Sequence, residues 1–325
     1  MPVLVVDGVS LAVGGATLLS DVSFTVGRGE MVGLVGESGS GKTLTGLSIL
    51  GLVPPRATLT GAIRVAGIDM TSAAPAVLRQ IRGGRVGMIF QEPRSSLNPV
   101  KPVGRQIADV VRAHLAATRR QANATAVSLL GQVGLPNPSA CFAAYPHELS
   151  GGMCQRVMIA MALSCGPALL IADEPTTALD VTVQAQIITL LRSIADERGL
   201  SVLLITHNLA VVTQVCDRII TMYCGQVVNA GTTARVLSTP SHPYTWALLE
   251  SGRRQLSGDG AGASPTELTG QPASPANPPQ GCRFHPRCPF ADARCAADVP
   301  DLTDVDGGQT RCARHGELSL TAGRP

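Results

Sequence analysis

The chain has 325 residues, of which 45% are apolar and only 3% aromatic, a composition that buries a full-sized aliphatic core of the kind found in sheets covered on both faces. The formal charge of +3 comes without a concentrated basic run and argues against a nucleic-acid partner. No secretory signal is visible, and the longest apolar stretch, Val157 to Ala172, is interrupted by Ser164, Gly166 and Pro167. A cytoplasmic chain without a membrane span is therefore expected, and any role at a membrane needs a partner.

In chain order, short β-prone runs (Val3 to Val6, Val9 to Val13, Val22 to Val26, Met31 to Val35) alternate with turn signals at Asp7-Gly8, Gly14-Gly15 and Gly27-Arg28-Gly29. The last run leads into Gly36-Glu37-Ser38-Gly39-Ser40-Gly41-Lys42-Thr43, which fits G-x-x-x-x-G-K-[ST] at every specified position, and a helix is expected from Leu44 to Leu50. In that context the glycines let successive N–H groups point at a polyphosphate on the positive end of the helix dipole. Lys42 would reach the β- and γ-phosphates, and the Thr43 hydroxyl would sit on Mg²⁺.

Further strands are expected at Gly61 to Val65 and Arg85 to Phe90, the second delivering Gln91 to a strand end. From about 103 the pattern becomes purely helical, with segments Gly104 to Ala117 and Gln121 to Val133. A helix at Ser150 to Ser164, a strand at Ala168 to Ala172, a helix at Val181 to Arg198 and a strand at Ser201 to Thr206 follow. Strands alternating with helices of this length predict an α/β fold built on a mostly parallel sheet. The composition between 251 and 280 is that of a Pro/Gly/Ser-rich linker.

Leu169-Leu170-Ile171-Ala172-Asp173-Glu174 is an apolar strand ending in two carboxylates, where Asp173 can hold Mg²⁺ and Glu174 can polarise a water facing a γ-phosphate. Leu149-Ser150-Gly151-Gly152-Met153-Cys154-Gln155-Arg156 resembles the signature motif of ABC ATPases. Gln91 is similar to that family's Q-loop, Ala178-Leu179-Asp180 to its D-loop and His207 to its switch histidine. The resemblance spans roughly residues 1 to 250. It implies a P-loop NTPase of ABC type, with a mostly parallel core, an antiparallel β-subdomain and a helical subdomain at about 103–165.

It further implies that ATP is held by Gly36, Ser38, Gly39, Ser40, Gly41, Lys42, Thr43 and Leu44, and in trans by Ser150, Gly151 and Gly152 of a second ATPase subunit. Mg²⁺ would be held by Thr43, Gln91 and Asp173, and catalysis carried by Glu174, His207 and Gln91. Two features depart from the family: Val9 to Thr17 contains no aromatic residue to stack on adenine, and Cys154 stands where relatives often carry arginine. Cys154 is expected to be a tolerated surface or interface residue.

Gln91 to Pro99 and Ser241 to Leu249 resemble segments of ATPases from oligopeptide and dipeptide importers, which end in a short cysteine-containing tail. Residues 281–325 contain Cys282, Cys288, Cys295 and Cys312, spaced by five, six and sixteen residues. Spacing alone leaves iron–sulfur and zinc open. The resemblance implies a [4Fe-4S] cluster on these four thiols, with Zn²⁺ as the alternative. It also implies a peripheral subunit at the cytoplasmic face of the plasma membrane. The partners would be two permeases, a second ATPase (a similar chain or another copy) and, indirectly, an extracytoplasmic peptide-binding protein. A nickel or other metal-chelate importer shares the same pattern. A soluble ABC ATPase of DNA repair or ribosomes is the remote alternative, since no long coiled-coil insertion or second cassette is present.

Overall fold

The computed structural model describes residues 1–177, 179–257 and 270–321. Ala178 of the expected D-loop, residues 258–269 of the expected linker and residues 322–325 lie outside the described residues. The strands are β1 (Leu4–Val13), β2 (Ala16–Val26), β3 (Met31–Val35), β4 (Ala57–Val65), β5 (Ile68–Asp69), β6 (Val86–Ile89), β7 (Leu169–Asp173), β8 (Ser201–Thr206), β9 (Arg218–Tyr223), β10 (Gln226–Thr232), β11 (Thr303–Val305) and β12 (Gly308–Thr310). The chain divides into two compact units, one of Met1–Leu4, Val26–Glu30 and Val65–Leu204, the other of Val5–Thr25, Met31–Arg64 and Ile205–Pro325.

In the first unit β6 and β7 run parallel, Val86 opposite Leu169 and Ile89 opposite Ala172. β7 is buried along its whole length, as a strand covered on both faces must be. Helices Val103–His114, Arg119–Gln132, Pro138–Ala143 and Gly151–Leu163 follow one another with no strand between them, as the helical pattern predicts. The second of these begins before the expected Gln121. Thr118 forms a capping box, its hydroxyl accepting from the Gln121 N–H while its own N–H donates to Gln121 Oε1 at 2.8 Å. The first packs so closely on the third that a Cβ on Gly104 would stand 2.1 Å from the Phe142 ring.

In the second unit β2, β1 and β4 lie side by side. β1 is one continuous strand where two runs divided at Asp7-Gly8 were expected. Gly8 adopts a positive φ of 57° inside it, and its N–H finds a partner in Ser23 Oγ, so the turn signal marks a local irregularity and not a chain reversal. A second set of strands runs in the order β11-β12-β10-β9-β3. β3 pairs parallel with β9, whereas β9, β10, β12 and β11 pair antiparallel in succession. β9 and β10 are joined by Cys224-Gly225, both at positive φ (48° and 77°), the geometry that a two-residue hairpin demands.

The cysteine-rich tail is thus part of this sheet: its hairpin β11–β12 extends the edge, Thr310 opposite Asn229. Phe284 of the tail is buried with Tyr223, Cys224, Val228 and Tyr244. Its ring centroid lies 5.3 Å from that of Tyr223 and 5.2 Å from that of Tyr244. Helix Pro243–Ser257 continues into the stretch whose composition reads as linker. Among the described residues no helix is long and apolar enough to cross a membrane.

Candidate nucleotide and cysteine sites

The phosphate loop belongs to the second unit, between the buried strand β3 and helix Lys42–Ile49. Two of its glycines are obligatory. A Cβ on Gly36 (φ 155°) would come 2.2 Å from the Met222 carbonyl oxygen, and one on Gly41 (φ 102°) 2.7 Å from Leu19 Cδ2. Lys42 is buried and its ammonium donates to the carbonyl oxygens of Gly36 at 2.8 Å and Glu37 at 2.9 Å. That holds the charge at the loop's centre.

Ser40 Oγ is buried and has no hydrogen-bond partner among the described residues. A buried hydroxyl left so costs roughly 1–3 kcal/mol unless a ligand satisfies it. The loop therefore supplies a buried cation, an unspent hydroxyl and a helix N-terminus together, which suits a polyphosphate. Ser38, Gly39 and Thr43 are exposed and Leu44 is half-buried. His207, in the same unit, is exposed just after β8, next to Asn208, whose side chain caps helix Leu209–Val215.

In the first unit Asp173 is buried at the end of β7, and Glu174 follows it with a left-handed φ of 45°. For a non-glycine residue that backbone costs on the order of 1–2 kcal/mol and is held by its surroundings. One oxygen of the Glu174 carboxylate, Oε2, accepts from Thr177 Oγ1 at 2.8 Å and from Gln91 Nε2 at 3.2 Å. Two residues 83 positions apart in the sequence are thereby brought together, and Glu174 Oε1 is oriented.

Ser150 caps helix Gly151–Leu163 by accepting from the Met153 N–H, so the signature serine stands at a helix N-terminus as its motif implies. Cys154 is fully buried, its thiol reaching the Pro146 carbonyl oxygen at 3.4 Å. The expectation of a surface or interface residue is corrected: it lies on the inward face of the helix. Asp180 caps helix Val181–Arg198 through the Val183 N–H.

Comparison with known proteins agrees with these motifs. The family model "ABC transporter" matches residues 19–177, and the model "Oligopeptide/dipeptide transporter, C-terminal region" matches residues 228–295. An oligopeptide transport ATP-binding protein of Bacillus subtilis is 48% identical over 294 residues, covering 90% of this chain and 89% of that one. A dipeptide transport ATP-binding protein of Escherichia coli is 43% identical over 331 residues, covering 100% of this chain and 99% of its own. This chain belongs to the ABC transporter ATPases of the oligopeptide/dipeptide family.

Among solved structures, a dimeric ATP-binding cassette in a post-hydrolysis state with ADP and phosphate is similar at a TM-score of 0.64 and 27% identity, covering 71% of this chain and 98% of that one. The fold is accordingly the ABC ATPase P-loop fold with mixed sheets. ABC ATPases bind ATP with Mg²⁺ and hydrolyse it to power transport.

The C-terminal region of this ABC ATPase gathers its four late cysteines. Cys282, Cys288, Cys295 and Cys312 line one small cavity together with His242 and Phe284. Burial raises the Cys282 thiol and pushes Cys288 up to about 12 and Cys312 up to about 11, so this cavity favours neutral thiols. The expected metal-binding arrangement of these four thiols is not borne out: among the described residues no group of three or more His, Cys, Asp or Glu side chains is placed to hold a metal ion.

Five contacts that sequence reasoning missed surround this region. His242 is fully buried and neutral, lowered to about 3 by burial, with Nδ1 accepting from the Tyr244 N–H at 3.0 Å. Tyr244 Oη in turn accepts from the Glu37 N–H at 2.9 Å. Arg287 forms a two-pronged ion pair with Glu37, at 2.7 and 3.0 Å. Arg311 pairs with Asp21 at 2.7 Å, and Arg283 donates to the Cys224 carbonyl oxygen. The weak signal was the clustering of arginines among the tail cysteines.

Proposed function

We propose that this chain is the ATP-hydrolysing subunit that energises import of di- and oligopeptides by a multi-subunit ABC transporter at the cytoplasmic face of the plasma membrane. The observation that carries this reading is end-to-end similarity to dipeptide and oligopeptide transport ATP-binding proteins, including the family-specific C-terminal region. Residues 1–250 form the ATPase, and the helical subdomain at about 103–165 receives two permeases. A second ATPase, a similar chain or another copy, completes the machine.

In this reading Gly36, Ser38, Gly39, Ser40, Gly41, Lys42, Thr43 and Leu44 hold the ATP phosphates, with Lys42 countering their charge and Ser40 satisfying its hydroxyl on them. Thr43, Gln91 and Asp173 take Mg²⁺. Glu174 orients and deprotonates the attacking water, Gln91 fixing the carboxylate, while His207 contacts the γ-phosphate side. Ser150, Gly151 and Gly152 serve the partner subunit's nucleotide.

Cys282, Cys288, Cys295 and Cys312 would hold a [4Fe-4S] cluster, zinc being the alternative, and such a centre would supply the metal–thiolate bonds that staple the tail. Uptake of a labelled dipeptide by cells carrying Lys42→Ala as their sole copy should be abolished; normal uptake would contradict the assignment. Anaerobically purified protein should carry about four irons and four sulfides per chain. One zinc without colour would replace the cluster, leaving the ATPase reading intact.

A further inference from the structure

The phosphate loop is braced from outside by the cysteine-rich tail. Glu37, its second residue, has every polar group engaged. Its N–H donates to Tyr244 Oη, its carbonyl oxygen accepts from Lys42 Nζ, and its carboxylate takes both prongs of Arg287. The ion pair is largely dry, with side-chain exposures of 6% for Arg287 and 22% for Glu37. Arg287 also donates to Tyr223 Oη at 3.4 Å, so its guanidinium has little freedom to follow a displaced carboxylate.

A second arm reaches the same loop three residues on. Arg283 holds the Cys224 carbonyl oxygen in the β9–β10 turn, and the N–H of the adjoining Gly225 donates to the Ser40 carbonyl oxygen at 2.9 Å. That turn is held on its other side as well, where the Gly225 carbonyl oxygen accepts from the Ser20 N–H at 2.9 Å. Between the two arms Phe284 is buried against Tyr223 and Tyr244. Each arginine is the chain neighbour of a cysteine, Arg283 of Cys282 and Arg287 of Cys288.

We propose that Arg287 is a positioning residue for nucleotide binding: through Glu37, the tail holds the phosphate loop in the shape that presents Lys42 and the loop N–H groups to phosphate. The proposal rests on the reading that residues 36–43 bind nucleotide. Breaking the pair frees the Glu37 carbonyl that anchors Lys42. The loop must then reorder when phosphate arrives, and affinity falls by the free energy of that ordering.

The test is equilibrium titration of the full-length protein with a fluorescent ATP analogue, well below the melting temperature, beside steady-state hydrolysis. Arg287→Gln should weaken nucleotide binding about tenfold and raise KM more than it lowers kcat. Arg287→Lys, which keeps the charge but loses the fork, should fall between it and wild type. The exchange Glu37→Arg with Arg287→Glu should recover much of the affinity. Arg311→Gln breaks another ion pair of the tail, from a buried arginine to the exposed Asp21, and should lower the melting temperature without changing nucleotide affinity.

Wild-type affinity in Arg287→Gln alongside lost binding in Lys42→Ala would overturn the proposal alone. Equal weakening by Arg311→Gln would also overturn it, by making the effect one of general stability. Undiminished binding in Lys42→Ala would remove the phosphate-loop reading itself, and this proposal with it.

Discussion

Replacing Glu174 by glutamine isolates its chemistry from its architecture. Both donors, Thr177 Oγ1 and Gln91 Nε2, meet the same oxygen, Oε2. A glutamine whose carbonyl takes that place keeps both hydrogen bonds, and its amide nitrogen replaces Oε1 alone. The strained φ of 45° is imposed equally on either residue, so the fold and nucleotide binding should stay as they are. What disappears is the acceptor proposed to orient and deprotonate water.

A positioned general base contributes roughly 10²–10⁴-fold, or about 3–5 kcal/mol of barrier. Phosphate release by Glu174→Gln should fall by that factor while binding of an ATP analogue is unchanged. The dimer closed on ATP should accumulate on size-exclusion chromatography. Hydrolysis by Glu174→Gln at the wild-type rate would refute the assignment.

Phe284→Ala removes a fully buried ring from between Tyr223 and Tyr244 and should cost about 3–5 kcal/mol. At ~2–4 °C per kcal/mol that is roughly 6–20 °C in a calorimetric scan, and a shift within error would show that the tail is not integral to the sheet it joins. His242 links stability to pH. Its pKa is lowered in the folded chain to about 3 against about 6.5 unfolded, so its contribution is fully kept above pH 6.5 and lost as pH falls from there toward 3. Between pH 7 and 5 wild type should lose about 2 kcal/mol more stability than His242→Asn, which keeps an acceptor for the Tyr244 N–H; parallel pH curves for the two would exclude the histidine as the cause.

The nucleotide chemistry was legible because its motifs are local. G-x-x-x-x-G-K-[ST] after an apolar run, Asp-Glu closing another, and Ser-Gly-Gly opening a helix each bring their geometry within a few residues. Backbone sterics and helix ends act over that same range. Periodicity placed the helices but not all their ends: the one expected at Gly104 to Ala117 stops at His114, and the next starts earlier than expected because Thr118 caps it. Turn chemistry misled at Asp7-Gly8, where pairing with neighbouring strands kept β1 continuous.

What only the tertiary structure decided lies in pairings distant along the chain. Cysteine spacing marked the tail as a unit, but could not show that its hairpin completes a sheet edge, or that Arg287 meets Glu37 across 250 positions. Nor could it tell that Cys154, on a helix apolar almost all round, faces inward. Charge complementarity and burial depend on which surfaces meet. That is set by the packing of whole elements, and no local pattern of residue types encodes it.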